Sequence, residues 1–331
     1  MDPRQHLQQL LFGAAATNAV SAFADLGLAD HIAGGTRAVE PLAAATGTRS
    51  DQLARFLRYA AMIGLVHGTD GAIALTPAGE LLRSGSPAES MRSVAQMFGL
   101  FANAWSEVPH SLRTRESGYV RAYGKPVFAD LGERPEAAAI FDAAMTGIHG
   151  PETAAVLDAY DYGGIRVLAD IGAGNGSVLI DTLQRHPHLA GMHCDLPHVG
   201  ERARASLAAA GVADRCQVVP IDFFASVPAG ADAYSLRHII HDWYDEDAVR
   251  ILSNVRQVLP PDGRVLVIEA VVPSNGAPSP AVLFDMVMMM IPGGKERTVD
   301  QYAALFDAAG LTLHSVTPTA SMVSVIEARA A

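Results

Sequence analysis

From Leu10 to about Ser93 the apolar positions recur at the three- to four-residue spacing of one helical face. The first helix aligns Leu11, Phe12, Ala15, Ala19, Phe23 and Leu26 along one side, and such a stripe requires a partner surface. Pro41 to Thr46, a turn at Gly47 to Ser50, and a helix from Asp51 with Leu53, Phe56, Leu57 and Ala60 on one side read as a helix-turn-helix. Leu65 to Leu75 then shows two short apolar runs around Gly68-Thr69-Asp70-Gly71, a hairpin signature. Thr76-Pro-Ala-Gly-Glu80 caps one more helix. These elements together predict a winged helix.

Residues 94–160 predict further helices rich in large side chains: Met97, Phe98, Phe101, Trp105, Tyr123, Phe128, Phe141, Met145 and His149. Most belong to a core. A segment between two domains also commonly lines a ligand cleft, which makes Trp105 and Met145 candidate pocket walls. Beyond Gly163-Gly164 the period changes to short β-type runs separated by helices, the alternation of a doubly wound α/β sheet. The predicted strands are Val167 to Ile171, Gly191 to Cys194, Cys216 to Ile221, Ala233 to Leu236 and Val265 to Glu269. Leu311 to Val316 and Met322 to Ala328 follow without a helix-length gap and predict a terminal antiparallel hairpin. The expected division is therefore 1–93, 94–160 and 161–331.

Composition narrows the function. The formal charge of −11 opposes polyanionic partners. Residues 1–90 carry six arginines against eight acids, whereas a winged helix that reads DNA needs a positive face to neutralise phosphates. Dimerisation through the apolar first helix is the better reading than a DNA-binding regulator. Two cysteines, Cys194 and Cys216, suit reduced buried thiols. The N-terminus lacks a basic segment followed by an apolar core, and every apolar run is interrupted well short of the roughly 20 residues that span a bilayer. The expectation is a cytoplasmic protein without a membrane segment.

The first predicted strand leads into Asp170-Ile-Gly-Ala-Gly-Asn-Gly176, with a helix from about Ser177. Gly172, Gly174 and Gly176 stand where backbone must approach a ligand closely. The spacing is not the dinucleotide G-x-G-x-x-G, and the acid that opens the loop would repel phosphate and suit an ammonium group. The second strand ends at Asp195-Leu196, 23 residues past Gly172, where an acid accepts hydrogen bonds from ribose hydroxyls. The third is followed by Asp222-Phe-Phe224, a carboxylate for an exocyclic amine, with Phe223 offering an aromatic face for a base. Each aspartate alone is as well explained as a helix cap. Three of them at the carboxyl edge of consecutive strands predict a nucleoside that carries a positive group and no phosphate.

These residues resemble the class I S-adenosylmethionine-dependent methyltransferases. Leu236-Arg-His-Ile-Ile-His-Asp-Trp-Tyr-Asp-Glu246, Val267-Ile-Glu269 and Gly293-Gly-Lys-Glu-Arg-Thr298 look more specifically like the small-molecule O-methyltransferases of the caffeate and hydroxyindole type, bacterial natural-product enzymes included. The resemblance spans nearly the whole chain and implies a Rossmann-like sheet with a C-terminal antiparallel hairpin, preceded by a helical winged-helix dimerisation domain. It also implies S-adenosylmethionine as cofactor, a homodimer and an aromatic acceptor.

His241 follows the fourth strand at the cofactor edge, and imidazole is well matched to proton abstraction near neutral pH. A free phenol, at about 10, lies roughly 3.5 units above an unperturbed imidazole. Glu269 ends the fifth strand within reach, where its carboxylate can hold the other ring nitrogen. Glu296 is implied by the resemblance to flank His241 from the other side. Asp242 either touches the substrate or caps the helix starting near Asp245. Plant members carry Lys-Trp where this chain has Arg237-His238, and the resemblance passes the lysine's cofactor contact to Arg237. His238, His241, Asp242, Asp245, Glu246 and Asp247 lack the spacing of known metal motifs, so no metal is expected. Met286, Met289 and Met290 are either helical core or an adaptable wall for a flat acceptor. N-methylation and a decarboxylating, hydroxylating or pericyclic use of the same fold are the alternative chemistries.

Overall fold

The computed structural model describes residues 2–68, 71–84 and 90–331, and of Pro151 the backbone alone. Thr69 and Asp70 of the predicted hairpin turn, and 85–89 of the predicted helical stretch, lie outside the described residues. The chain forms two compact units, Met1–Asn103 with Ala129–Gly150, and Ala104–Phe128 with Pro151–Ala331. No helix among the described residues is long and apolar enough to cross a membrane.

In the first unit, Asp2 accepts the Arg4 amide and Pro3 occupies the first turn of the helix Pro3–Asp25, the arrangement that favours helix initiation. Its C-terminal half is covered: Phe23 and Ala24 join Leu28, Leu42, Leu53, Leu57 and Ile73 in one core. Its N-terminal half is bare, with Leu7, Leu10, Leu11 and Phe12 all exposed by 58% or more. The helices Val39–Thr46 and Ser50–Met62 form the predicted pair. Strands β1 (Val66–His67) and β2 (Ala74–Leu75) pair antiparallel behind them. The Thr76 hydroxyl caps Pro77–Glu80 by accepting the Gly79 amide.

The second unit is built on a seven-stranded sheet: β3 (Val167–Ile171), β4 (Ala190–Asp195), β5 (Cys216–Pro220), β6 (Ala233–Arg237), β7 (Arg264–Ala270), β8 (Leu311–Pro318) and β9 (Val323–Ala330). The order is β5-β4-β3-β6-β7-β9-β8, parallel from β5 to β7 and antiparallel at β9 and β8. Along β7, Val265 and Val267 enter one core cluster while Leu266 and Ile268 enter another. That two-residue period shows the central strands buried on both faces, which explains their nearly unbroken apolar runs. The chain steps outward from β3 to β5 and returns to β6 on the other side of β3. The strand order therefore reverses at β3 and β6, the place where open α/β sheets receive ligands.

The segment Gly293 to Thr298 splints the turn that follows β6. A Cβ on Gly294 would lie 1.9 Å from the His241 carbonyl oxygen, so only glycine lets the two backbones meet. The Lys295 amide then donates to that same carbonyl at 2.8 Å. Arg297 is fully buried. Its Nη1 donates to Ile240 O at 3.1 Å and its Nη2 to Trp243 O at 2.9 Å. Its Nε and Nη2 share Asp245 Oδ1 at 3.1 and 2.8 Å, and Lys295 Nζ takes Oδ2 at 2.8 Å. Thr298 and Gln301 close a capping box, starting the helix Val299–Ala308.

Replacing Arg297 by alanine strips buried carbonyls of their donor, which costs roughly 3 kcal/mol. We predict that calorimetry of Arg297→Ala shows a melting temperature about 6–12 °C below that of the parent protein. An unchanged melting temperature would contradict the splint.

Candidate active site

The loop after β3 is floored by glycine and edged with acids. Asp170 is buried within β3 and its Oδ1 accepts the Ser235 hydroxyl at 2.7 Å. Burial pushes this carboxyl above its ordinary range, against the Ser235 hydrogen bond that lowers it. Gly172 has φ +73°, and a Cβ there would meet Ile239 Cδ1 at 2.3 Å. The glycine loop thus rests on the turn that leads to His241. A Cβ on Gly174 meets nothing within 4 Å, and Gly176 opens the helix Ser177–Arg185.

Asp195, at the end of β4, accepts the Gly174 amide at Oδ2 (2.8 Å) and the Leu196 amide at Oδ1 (2.6 Å). Burial raises its carboxyl while these two amides lower it. Leu196 remains half-exposed. Asp222 uses Oδ1 to accept the Phe224 amide at 2.9 Å, a local turn bond. Phe223, Phe224 and Trp243 gather edge to face, with Phe223 and Trp243 centroids 6.2 Å apart. A residue absent from the sequence-based reading completes the loop: the fully buried His193 has Nε2 2.9 Å from Gly174 O. A carbonyl only accepts, so Nε2 carries the proton. Gly174 is thereby held at both its amide and its carbonyl.

His241 sits in the 3-10 turn Ile240–Asp242, buried. Its Nδ1 lies 2.7 Å from Glu296 Oε1, and its Nε2 is 3.7 Å from Asp242 Oδ1. The second oxygen of Glu296, Oε2, is buried without a hydrogen-bond partner among the described residues. Burial alone would lower the imidazole. The Glu296 hydrogen bond and the charges of Asp242, Glu269 and Glu296 outweigh it, so the ring is pushed up to about 10. Burial, with the charges of Glu269 and Glu296, pushes Asp242 up to about 7 against the opposing pull of His241. Glu296 is raised by burial as well, despite its bond to His241.

Glu269 departs from the expectation. Its carboxylate does not hold the imidazole; Oε1 accepts the backbone amides of Ile239 and His241 at 3.1 and 3.0 Å, and Oε2 accepts the Tyr302 hydroxyl at 2.6 Å. Placed at the end of β7, beside β6, its side chain meets the backbone leaving β6 before it can reach the ring. The ring partner is Glu296, brought in by the splint. Asp242 is no helix cap either: Tyr244 precedes Asp245–Val258, with no side-chain cap bond.

Arg237 is buried, its Nη2 3.0 Å from Glu152 Oε2 and its Nη1 2.7 Å from Thr153 Oγ1. His238 has a left-handed φ of +53°, its Nε2 lies 2.9 Å from Glu152 Oε2, and its ring centroid is 5.1 Å from that of His241. Of the acceptor candidates, Trp105 and Met289 are half-buried and Met286 is exposed. Met290 is fully buried against the helix Gly118–Tyr123, its Cε 2.2 Å from where a Gly118 Cβ would stand. Met145 is half-buried and belongs to the first unit.

Comparison with known proteins places the whole chain in a family. A family model described as an O-methyltransferase domain matches residues 105–312, and one described as an O-methyltransferase dimerisation domain matches residues 8–85. The phenazine O-methyltransferase PhzM of Lysobacter antibioticus is 40% identical over 325 residues, 98% of this chain and 95% of that protein. The solved O-methyltransferase NcsB1 of neocarzinostatin biosynthesis, in complex with S-adenosylmethionine and 2-hydroxy-5-methyl naphthoic acid, superposes with a TM-score of 0.88 at 34% identity, covering 96% of both chains. The aclacinomycin 10-hydroxylase RdmB of Streptomyces purpurascens is 35% identical over 300 residues, 88% of this chain and 80% of that protein. With the first match spanning more than half its length and a relative at 40% identity covering nearly all of it, the chain belongs to the O-methyltransferase family.

Proposed function

We propose that this enzyme methylates a phenolic hydroxyl of an aromatic small molecule in natural-product biosynthesis, with S-adenosylmethionine as donor and His241 as the general base. The observation that carries the reading is the buried imidazole held by Glu296 beside a glycine-floored loop edged with acids. When bound, S-adenosylmethionine supplies a methyl group already activated on a sulfonium. The residues present fit it: the open backbone at Gly174 admits a close ligand, and the acids of the loop suit a cation without phosphate. Asp195 and Leu196 would hold the ribose side, and Asp222 and Phe223 the base. Asp170, Gly172 and Gly176 shape the loop. Arg237, tied to Glu152 and Thr153, supports the cofactor edge from beneath.

The chain's own task is then to align the acceptor and take its proton. A phenol near 10 faces an imidazole that the surrounding carboxylates have pushed up to about 10. Proton transfer between matched groups is close to thermoneutral, so the gap of roughly 3.5 units that an ordinary histidine presents moves from the transfer itself to the freeing of the base, which is complete only as the pH approaches about 10. Glu296 keeps the ring in its orientation and stabilises the imidazolium that forms. Asp242, beside Nε2, and the side chains of Trp105, Met286 and Met289 contact the acceptor.

The bare apolar half of the helix Pro3–Asp25 belongs to a homodimer contact, in keeping with the dimerisation-domain match. Residues 1–93 serve that contact and 161–331 the donor, in a cytoplasmic enzyme. The match to a hydroxylase keeps a non-methylating use of the fold as the second reading. A product that carries one added methyl group on oxygen selects the first.

Two outcomes test this reading. His241→Gln should lower methyl transfer by about 10²–10⁴-fold while calorimetric binding of S-adenosylhomocysteine stays within about twofold; parent-like turnover would remove His241 as base. In the parent protein the base form appears only as the imidazole loses its proton, so kcat/KM for a phenol should climb with pH from about 7 toward about 10. Glu296→Gln should move that limb to lower pH. A parent limb at about 6.5, the value of an ordinary histidine, would contradict the electrostatic reading.

A further inference from the structure

We propose that Tyr302 is a positioning residue for the methyl transfer, its hydroxyl locking Glu269 into the orientation that holds the backbone of His241. The inference rests on the reading of His241 as the base. Tyr302 is fully buried on the helix Val299–Ala308, one turn past the splint, and its hydroxyl donates to Glu269 Oε2 at 2.6 Å. The opposite oxygen accepts the amides of Ile239 and His241. One carboxylate thus joins a phenol on a distant helix to two amides of the turn that carries the imidazole. Burial and the nearby carboxylates raise the phenol far above its ordinary range, so it keeps the proton it donates.

The other contacts on this turn fix different atoms. Lys295 takes the His241 carbonyl, Arg297 the carbonyls of Ile240 and Trp243, and Glu296 the ring. The His241 amide is left to Glu269, and Tyr302 fixes how that carboxylate faces it. A displacement of the base by about 1 Å is enough to cost a hundredfold in rate. The aromatic ring of Tyr302 packs in the core near Phe306, with centroids 6.4 Å apart, and phenylalanine reproduces that packing. Only the hydroxyl is therefore at issue.

Tyr302→Phe should lower kcat about ten- to hundredfold while the KM for the donor and the affinity for S-adenosylhomocysteine stay unchanged. The charge of Glu269 is among the causes that hold the His241 proton. A carboxylate released from its clamp moves off the turn, and the acid limb of kcat/KM should shift to lower pH. A purely structural tyrosine would move neither the limb nor the ratio of kcat to KM. Unchanged kcat and limb overturn the proposal, as does a rate loss matched by equal loss of S-adenosylhomocysteine binding. If Tyr302→Phe fails to fold, 3-fluorotyrosine at position 302 preserves ring and hydroxyl and strengthens the donor; the stronger bond draws charge from Glu269, so the limb should move to lower pH while kcat is kept, and a stationary or rising limb overturns the proposal. An inactive parent protein that binds no S-adenosylhomocysteine defeats the methyl-transfer reading instead, whereas an active parent with an indifferent Tyr302→Phe defeats this inference alone.

Discussion

The contact of 2.7 Å between the His241 ring and Glu296, buried among further carboxylates, is the interaction on which the rest of the site depends. An imidazole removed from water sheds its proton unless an opposite charge holds it. Here Asp242, Glu269 and Glu296 all raise its hold on the proton. Burying like charges together is costly unless donors and cations compensate. The structure supplies them: two turn amides and Tyr302 on Glu269, the ring on Glu296, and the fully buried Arg297 bound to the neighbouring carbonyls and Asp245. The polar network around the base is consequently also part of what folds this end of the sheet.

The sheet topology brings donor and base chemistry together. Because the strand order reverses at β3 and β6, the loops after both strands open at the same edge. Gly172 then abuts Ile239, whose amide shares Glu269 Oε1 with the amide of His241. A movement of the glycine loop is felt directly at the turn that carries the base. His193 and Asp195 hold Gly174 from β4, so the loop is fixed before any ligand arrives.

Features governed by period and strand ends were legible in the sequence. Val167–Ile171 begins and ends where the pattern predicts, and the other strands agree to within about two residues. The switch-point edge follows from the alternation of strands and helices, and Asp195 and His241 follow from their places after strands. Features set by contacts between distant segments were not legible. Glu269 stands at the predicted strand end, yet its orientation depends on the turn after β6, and that turn captures it through two amides. Tyr302 and His193 look like ordinary core residues in one dimension because their partners, Glu269 and Gly174, lie 33 and 19 residues away. Glu296 was reachable only through resemblance: its motif contains a glycine that touches the His241 carbonyl, a reason invisible without coordinates.

The most direct measurement is the proton affinity of His241 itself, followed by NMR of protein labelled at histidine carbons and nitrogens, with His241→Gln to assign the resonance. The surrounding carboxylates predict a ring that stays cationic until the pH approaches about 10 and that titrates at lower pH in Glu296→Gln. A ring that titrates near 6.5 in both proteins would show that Glu296 and its neighbours do not hold this proton.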